Sequence, residues 1–456
     1  MYDVIVIGGG PGGYAAGIRA AQLGGQVALI EAAEIGGTCV NRGCIPSKVW
    51  LRAVYLHEAI RNADAFGIKA TLEGTDLSKI KERKNGVAAD IRMGMGGLLG
   101  NNGIEVIEGR GLLKSPREVE VEGKTLEAKK IIIATGSSLH LPDIDGLKNA
   151  AMTTDQVLDM TQVPASILIS GAGIVEVEKA AILNAFGAKV YLATDSARIL
   201  PREDGDTGQR VGQALREKGV EIFPRSTLQS VKKSGKGYKA SLSGPEDQTV
   251  VVERVLVSSR KPNTDSLGLE QAGVSLNENG FITVNDNLQT KTEGIYAIGD
   301  VIGGWMLSHA ATAMGITAAE NAMGVERAFP FHLVPRGIFT IPEVGAVGLS
   351  EDEAEEKGYE VETGDFPFSI NGLAMSYDEM EGAVKIVSEA QYGEILGVHI
   401  VGGRAAELIW GAVLAMQLES TAEDLARSIT VHPTFSESMA MAAQDVSGWA
   451  LYLPKR

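Results

Sequence analysis

The only cysteines of the 456-residue chain, Cys39 and Cys44, lie in Gly36-Gly-Thr-Cys-Val-Asn-Arg-Gly-Cys-Ile-Pro-Ser-Lys48 with four residues between them. Thiolate is the reactive form of cysteine, and a helix N-terminus or a neighbouring cation stabilises it. A close pair opening a helix can therefore cycle between dithiol and disulfide. Two blander roles compete. A zinc site needs two further ligands, and the chain has no other cysteine and only six histidines, none near in sequence. A purely structural bridge closing so small a loop contributes little on the loop-entropy account. The pair reads as redox chemistry beside a glycine-rich turn that suits a dinucleotide.

The elements that must position this chemistry follow from the residues around it. Val4 to Ile7 is a β-branched strand that runs into Gly8-Gly-Gly10-Pro-Gly-Gly13. A helix-compatible stretch follows, then a second strand at Val27 to Ile30, then Glu31. This is the grammar of a βαβ nucleotide-binding unit. Gly8, Gly10 and Gly13 allow a tight turn and a close approach of pyrophosphate to the helix N-terminus, and Glu31 accepts ribose hydroxyl hydrogens. The grammar repeats at Ile167-Leu-Ile-Ser-Gly171-Ala-Gly173, with a helical stretch to Phe186 and a strand from Lys189 to Ala193. Further on, Gly294 to Asp300 reads as a strand delivering Asp300 at its end. Val344 to Gly348 and Ile395 to Val401 read as strands, and 405–417 and 436–443 as helices.

Composition sets the outer limits. Hydrophobic residues at 44%, charged residues at 22% and 56 glycines fit an α/β protein rich in tight strand-to-helix turns. The length predicts several domains. A net charge of -16 without Lys/Arg runs argues against a nucleic-acid partner. The apolar run at Met1 to Gly8 is too short to span a membrane and carries no basic leader. No membrane span and a cytoplasmic location are expected. In that compartment a lone cysteine pair stays reduced unless catalysis reoxidises it.

Together with Ala134-Thr-Gly136, Gly294 to Asp300 and His432-Pro-Thr-Phe-Ser-Glu437, these motifs resemble the pyridine nucleotide-disulfide oxidoreductase family along essentially the whole chain, and within it the dihydrolipoyl dehydrogenase branch. The resemblance implies an α/β fold with two Rossmann-like dinucleotide-binding domains, one for FAD and one NAD-like, a central domain and a C-terminal α+β dimerisation domain. The expected boundaries are 1–145, 146–263, 264–334 and 335–456. It implies FAD held by Gly8, Gly10, Gly13, Glu31, Gly37, Thr38, Lys48, Gly111, Thr135, Gly136, Asp300 and Ser308, and NAD by Gly171 and Gly173. Cys39 would be the sulfur nearer the flavin and the charge-transfer thiolate, and Cys44 the interchange sulfur. Lys48 would lie near flavin N5, paired with Glu178.

The same resemblance implies a homodimer in which His432 serves the active site of the other subunit. A neutral imidazole can take a thiol proton, and Glu437 five residues later can orient the ring and stabilise the imidazolium. The implied activity is oxidation of a lipoyl-bearing carrier protein or a small dithiol. Leu451 to Arg456 carries no cysteine pair, so the second thiol relay of mercuric reductase or large thioredoxin reductase is not expected.

Three positions depart from the family pattern, all in the second nucleotide unit. Glu176 stands where Gly or Ala lets phosphates approach, Thr194 stands where an acidic residue would grip ribose, with Asp195 one place late, and Ser259 replaces a glycine before Arg260. Either compensating movement keeps NAD in use, with Asp195 reaching the ribose and Glu176 turning to solvent, or the same dithiol half reaction serves another acceptor, such as a quinone-like dye, a flavoprotein or an iron-sulfur protein. A third reading is a flavin-binding structural subunit without turnover.

Overall fold

The computed structural model describes residues 1–454. Its first sheet places the strands Glu105–Glu108, Val27–Glu31, Tyr2–Ile7 and Lys124–Ile133 side by side in parallel, and Ile295–Ala297 adds to Lys124–Ile133, also in parallel. The central strands are apolar on both faces, one covered by the helices Pro11–Gln22 and Ser308–Ala322 and the other by Leu113, Val119, Leu267 and Ile282, and Val4, Ile5, Val6, Ile131 and Ile132 are completely buried. Each such side chain contributes about 1.5–3 kcal/mol by leaving water.

Register is what matters for the site. Ile7 pairs with Ile30 on one side and with Ile133 on the other. The residues that follow them, Gly8, Glu31 and Ala134, therefore emerge together at the carboxyl edge of the sheet, where open α/β sheets bind ligands. The helix Pro11–Gln22 starts at this edge and packs along the Ala-rich helix Ser308–Ala322. Asp300 stands in the short turn of 3₁₀ helix Gly299–Ile302 just beyond the strand, which ends at Ala297 rather than reaching the aspartate.

A second parallel sheet repeats the plan in the order Glu221–Phe223, Lys189–Ala193, Ser166–Ser170, Arg254–Val257 and Ala151–Thr153. Ala193 pairs with Ser170, so Thr194 and Gly171 emerge next to each other. The chain enters this region along Ser137–Leu139 and leaves along Arg260–Pro262, and the two segments pair as an antiparallel ribbon. The last sheet is antiparallel, in the order Arg336–Ile338, Val344–Gly348, Ile395–Val401, Ala383–Glu389 and Val361–Pro367. Helices Ala405–Gln417 and Glu437–Val446 pack on it, and the second of these carries Glu437.

Candidate active site

A cavity of about 640 Å³ opens at the carboxyl edge of the first sheet. Gly8, Gly10, Glu31, Gly37, Thr38, Cys39, Cys44, Gly111, Thr135, Gly136, Asp300 and Ser308 all line it. Gly8 has φ +109°, and a Cβ there would meet the Ala134 carbonyl oxygen at 2.3 Å. A Cβ at Gly13 would fall 1.8 Å from the Gly8 carbonyl oxygen, so Gly13 shapes the turn from behind and does not line the cavity. Glu31 accepts from the Gly9 N–H at 2.6 Å and the Ala33 N–H at 2.8 Å, which fixes its carboxylate at the end of the strand. A long cleft with a bare helix N-terminus at one point and a fixed carboxylate at another fits a flavin dinucleotide, with pyrophosphate at the glycines and ribose at Glu31.

The cysteines sit in the wall of this cavity on two elements. Cys39 lies within the short helix Gly37–Asn41, and only Cys44 opens a helix, Cys44–Arg61. Both are free thiols here. The Cys39 Sγ donates to the Ser308 Oγ at 3.2 Å. The hydrogen bond between the thiols sets their acidities apart. It raises Cys39 far above the usual thiol range, with burial adding to the effect, and it lowers Cys44 to about 6 against an opposing burial penalty, with Lys48 assisting. Bound FAD would be held by the residues that line this cavity, with Cys39 in its wall.

Lys48 does not line the cavity. Its Nζ donates to Glu178 Oε1 at 2.9 Å and stands 3.9 Å from the centroid of the Phe339 ring, while the Phe339 N–H donates to the same carboxylate oxygen at 3.1 Å. The Cys44 helix, the helix Ile174–Ala185 and the C-terminal region thus meet at one buried carboxylate. Asp300 accepts from Ser137 Oγ at 2.6 Å, and Arg260 donates to Ser137 at its Oγ (2.7 Å) and carbonyl (2.6 Å). Sequence reasoning named Asp300 but missed Ser137 and the Arg260 clamp. The signal was weak, since a serine two residues after Thr135 has no chemistry of its own until the ribbon pairing brings Arg260 beside it.

His432 is exposed and does not line the cavity of its own chain. Its Nδ1 lies 2.8 Å from Glu437 Oε1, and the Thr434 N–H donates to Glu437 Oε2 at 2.9 Å. The ring is held by a carboxylate that is itself held by backbone. That arrangement leaves Nε2 directed away from the glutamate.

In the second nucleotide unit Glu176 turns inward. It occupies the third position of the helix Ile174–Ala185, whose N-cap is Gly173. A Cβ placed on Gly173 would meet Glu176 Oε2 at 3.0 Å, and one on Gly171 would meet its Cγ at 3.3 Å. Burial pushes this carboxyl above its ordinary range, while the backbone hydrogen bonds oppose the shift. The carboxylate thus lies against the two glycines where a pyrophosphate would otherwise sit. Thr194 is buried, its Oγ1 accepting from the Ser196 N–H at 3.2 Å, and Asp195 and Ser259 are exposed. The expectation that Glu176 turns to solvent fails because the unpaired N–H groups at the helix N-terminus attract it.

Comparison with known proteins agrees with this architecture. Residues 2–315 match the pyridine nucleotide-disulphide oxidoreductase family, and residues 334–443 match the dimerisation domain of the same family. The chain is 40% identical over 466 residues to the dihydrolipoyl dehydrogenase of Thermus scotoductus, covering 100% of this chain and 99% of the relative. It is 37% identical over 470 residues to a dihydrolipoyl dehydrogenase of Bacillus subtilis, covering 99% of each. The solved structure of LpdA from Mycobacterium tuberculosis superposes with a TM-score of 0.88 at 28% identity, covering 97% of this chain and 99% of that one. Among the described residues no helix is long and apolar enough to cross a membrane. A thiol pair in the wall of a flavin-sized cradle, ahead of a dimerisation domain, is explained by descent: the chain belongs to the pyridine nucleotide-disulphide oxidoreductase family, as an FAD-binding flavoprotein disulfide reductase similar to dihydrolipoyl dehydrogenase.

Proposed function

We propose that the protein oxidises a dithiol of the dihydrolipoyl class by exchange with a Cys39–Cys44 disulfide, in a homodimer whose His432 serves the second subunit's cavity. The observation that carries this reading is the placement of Cys39 and Cys44 together in the wall of the FAD cradle, with Ser308 against Cys39 and Lys48 near Cys44. FAD, when bound, supplies the two-electron sink. A substrate thiolate attacks the Cys44 sulfur, the second substrate thiol closes the product disulfide, and the protein is left with two reduced sulfurs. His432 takes a substrate proton, and Glu437 holds the ring for that transfer. Cys39, next to the flavin site, passes the electrons on. Gly37, Thr38, Thr135, Gly136, Asp300 and Ser308 bind the cofactor, and Lys48 with Glu178 fixes the Cys44 helix beside it.

The division at 145, 263 and 334 belongs to the same proposal. It is supported by sheet membership, since 151–257 supplies the second parallel sheet and 336–401 the antiparallel one. Anaerobic mixing of FAD-loaded protein with dihydrolipoamide tests the reaction. Bleaching of the flavin band with new long-wavelength absorbance is expected, and survival of that absorbance in Cys39→Ser would overturn the mechanism.

A second specific observation bears on the acceptor. Glu176 lays an anion against Gly171 and Gly173, and Thr194 supplies no carboxylate for ribose. Repulsion between a carboxylate and a pyrophosphate in a partly dry site disfavours binding by several kcal/mol on an order-of-magnitude estimate. The reading this favours is an electron acceptor other than NAD, a quinone-like dye, a flavoprotein or an iron-sulfur protein. Stopped-flow mixing of dithiol-reduced protein with NAD decides it, because rapid NADH formation is incompatible with the reading.

A further inference from the structure

Lys179 is a buried lysine that the chemistry above leaves without a role although it is bonded to the helix opened by Cys44. It lies on the helix Ile174–Ala185, among Val177, Glu178, Ala180, Ile182 and Leu183 on the buried face, and is itself only 3% exposed. An ammonium that deep is costly unless paired. Among the described residues Lys179 has no ion-pair partner of its own, because the Glu178 carboxylate beside it is bonded to Lys48. Its Nζ donates instead to Ser47 Oγ at 2.8 Å, and Ser47 is itself buried. Ser47 stands three positions after Cys44 in the first turn of the Cys44 helix, on the same face as that sulfur.

We propose that Lys179 is a proton carrier of the thiol relay, joined through Ser47 to the Cys44 helix, that takes the second proton of the incoming dithiol so that Cys44 leaves the exchange as a thiolate. The step rests on the dithiol reading above, and it balances. Two substrate S–H bonds break and the substrate S–S bond forms, while the Cys39–Cys44 bond breaks with uptake of two electrons. One proton goes to His432 of the second subunit and the other to Lys179.

The charged surroundings make this exchange directional. Glu176 and Glu178 face Lys179 from its own helix, and Lys48 and Cys44 from the helix packed against it. Burial holds the amine below its ordinary range, and Lys48 acts in the same sense, whereas a negative Cys44 draws a proton to it. While the disulfide is closed there is no charge at sulfur, and only Glu178 and Glu176 oppose the cost of burying the amine. Once the disulfide opens, the new thiolate and the new ammonium stabilise each other across Ser47.

The test is the pH dependence of Cys44 alkylation by iodoacetamide in the dithionite-reduced, FAD-loaded protein. In the wild type the rate should rise with a midpoint at least one pH unit below that of an ordinary thiol, ~8.5. An ordinary midpoint in the wild type overturns the proposal without any variant. Lys179→Met should move the midpoint up and slow alkylation at pH 7 by ~10-fold. Lys179→Gln, which keeps a donor for Ser47 but not the charge, should behave like Lys179→Met. A wild-type profile in either variant shows that the lysine only packs, and sinks the idea. Failure of the underlying dithiol reading is separable: dihydrolipoamide would then leave the flavin band intact while the alkylation profile still shifted with Lys179.

Discussion

Lys48 and Glu178 form a 2.9 Å ion pair that ties the helix opened by Cys44 to the helix opening the second nucleotide unit, with the glutamate side chain only 6% exposed. The same Glu178 oxygen accepts the Phe339 N–H. One carboxylate therefore sets the position of the thiol-bearing helix relative to two other parts of the chain. No single segment of sequence contains that relationship.

Glu178→Gln keeps an acceptor for Phe339 but removes the charge facing Lys48. Lys48 is about one third exposed, so water screens part of the loss. Urea unfolding should show a loss of about 1–2 kcal/mol, and flavin reduction by dihydrolipoamide should slow. An unchanged reduction rate would show that the pair does not position Cys44.

His432→Gln should lower dithiol turnover by ~10²–10⁴-fold, the usual effect of removing a general base, with little change in stability because the ring is exposed. Mixed dimers of His432→Gln and Cys44→Ser chains separate the two subunits' roles. If His432 serves the other subunit, each mixed dimer keeps one intact site and activity returns. If activity does not return, the base acts within its own chain.

Glu176→Gly removes the carboxylate from the second glycine turn. NADH binding, followed by fluorescence, should strengthen by at least ~10-fold, which corresponds to about 1.4 kcal/mol. The helix should lose about 1 kcal/mol from glycine at an N-terminal position. Unaltered NADH affinity would show that the cradle is closed by something other than Glu176.

His399 is buried, its Nε2 lies 2.9 Å from the Leu349 carbonyl, and the charges acting on it are those of Asp204, Arg336 and Lys385. Burial lowers its pKa to about 4. The folded chain resists protonation while the unfolded chain accepts it near 6.5, so stability is full above 6.5 and declines as pH falls from there through about 4. The loss is on the order of 3 kcal/mol, at ~1.4 kcal/mol for each pH unit between 6.5 and about 4. Denaturation midpoints of wild type and His399→Asn across that window check it. The variant should show a flatter pH dependence, and parallel curves would remove His399 as the cause.

Much of the site was legible in the sequence because it rests on local geometry. A strand, a glycine turn, a helix and Glu31 form one continuous unit, so register carries Gly8 and Glu31 to the same sheet edge once the strands pair. His432 and Glu437 meet at 2.8 Å across a single turn, and their separation of five residues announces it. Cys39 was less legible, for it belongs to its own short helix and only Cys44 sits at a helix start. Lys179 carried a readable signal that was passed over: a lysine three and four residues before Ile182 and Leu183, on the apolar stripe of its helix.

The sequence by itself determined the chemistry and its order along the chain, namely a thiol pair after a nucleotide turn, a repeated βαβ unit and a histidine with its carboxylate, because residue type and short spacing dictate those. Only the tertiary structure decided where the charges face. Glu176 turned onto the second glycine loop instead of into water, Arg260 crossed to Ser137 and Asp300, and Lys179 was buried against Ser47 of the Cys44 helix. Those outcomes depend on which helix ends and carboxylates long-range packing brings within a few ångströms, and electrostatic energy varies too steeply with distance and burial to be read from order along a chain.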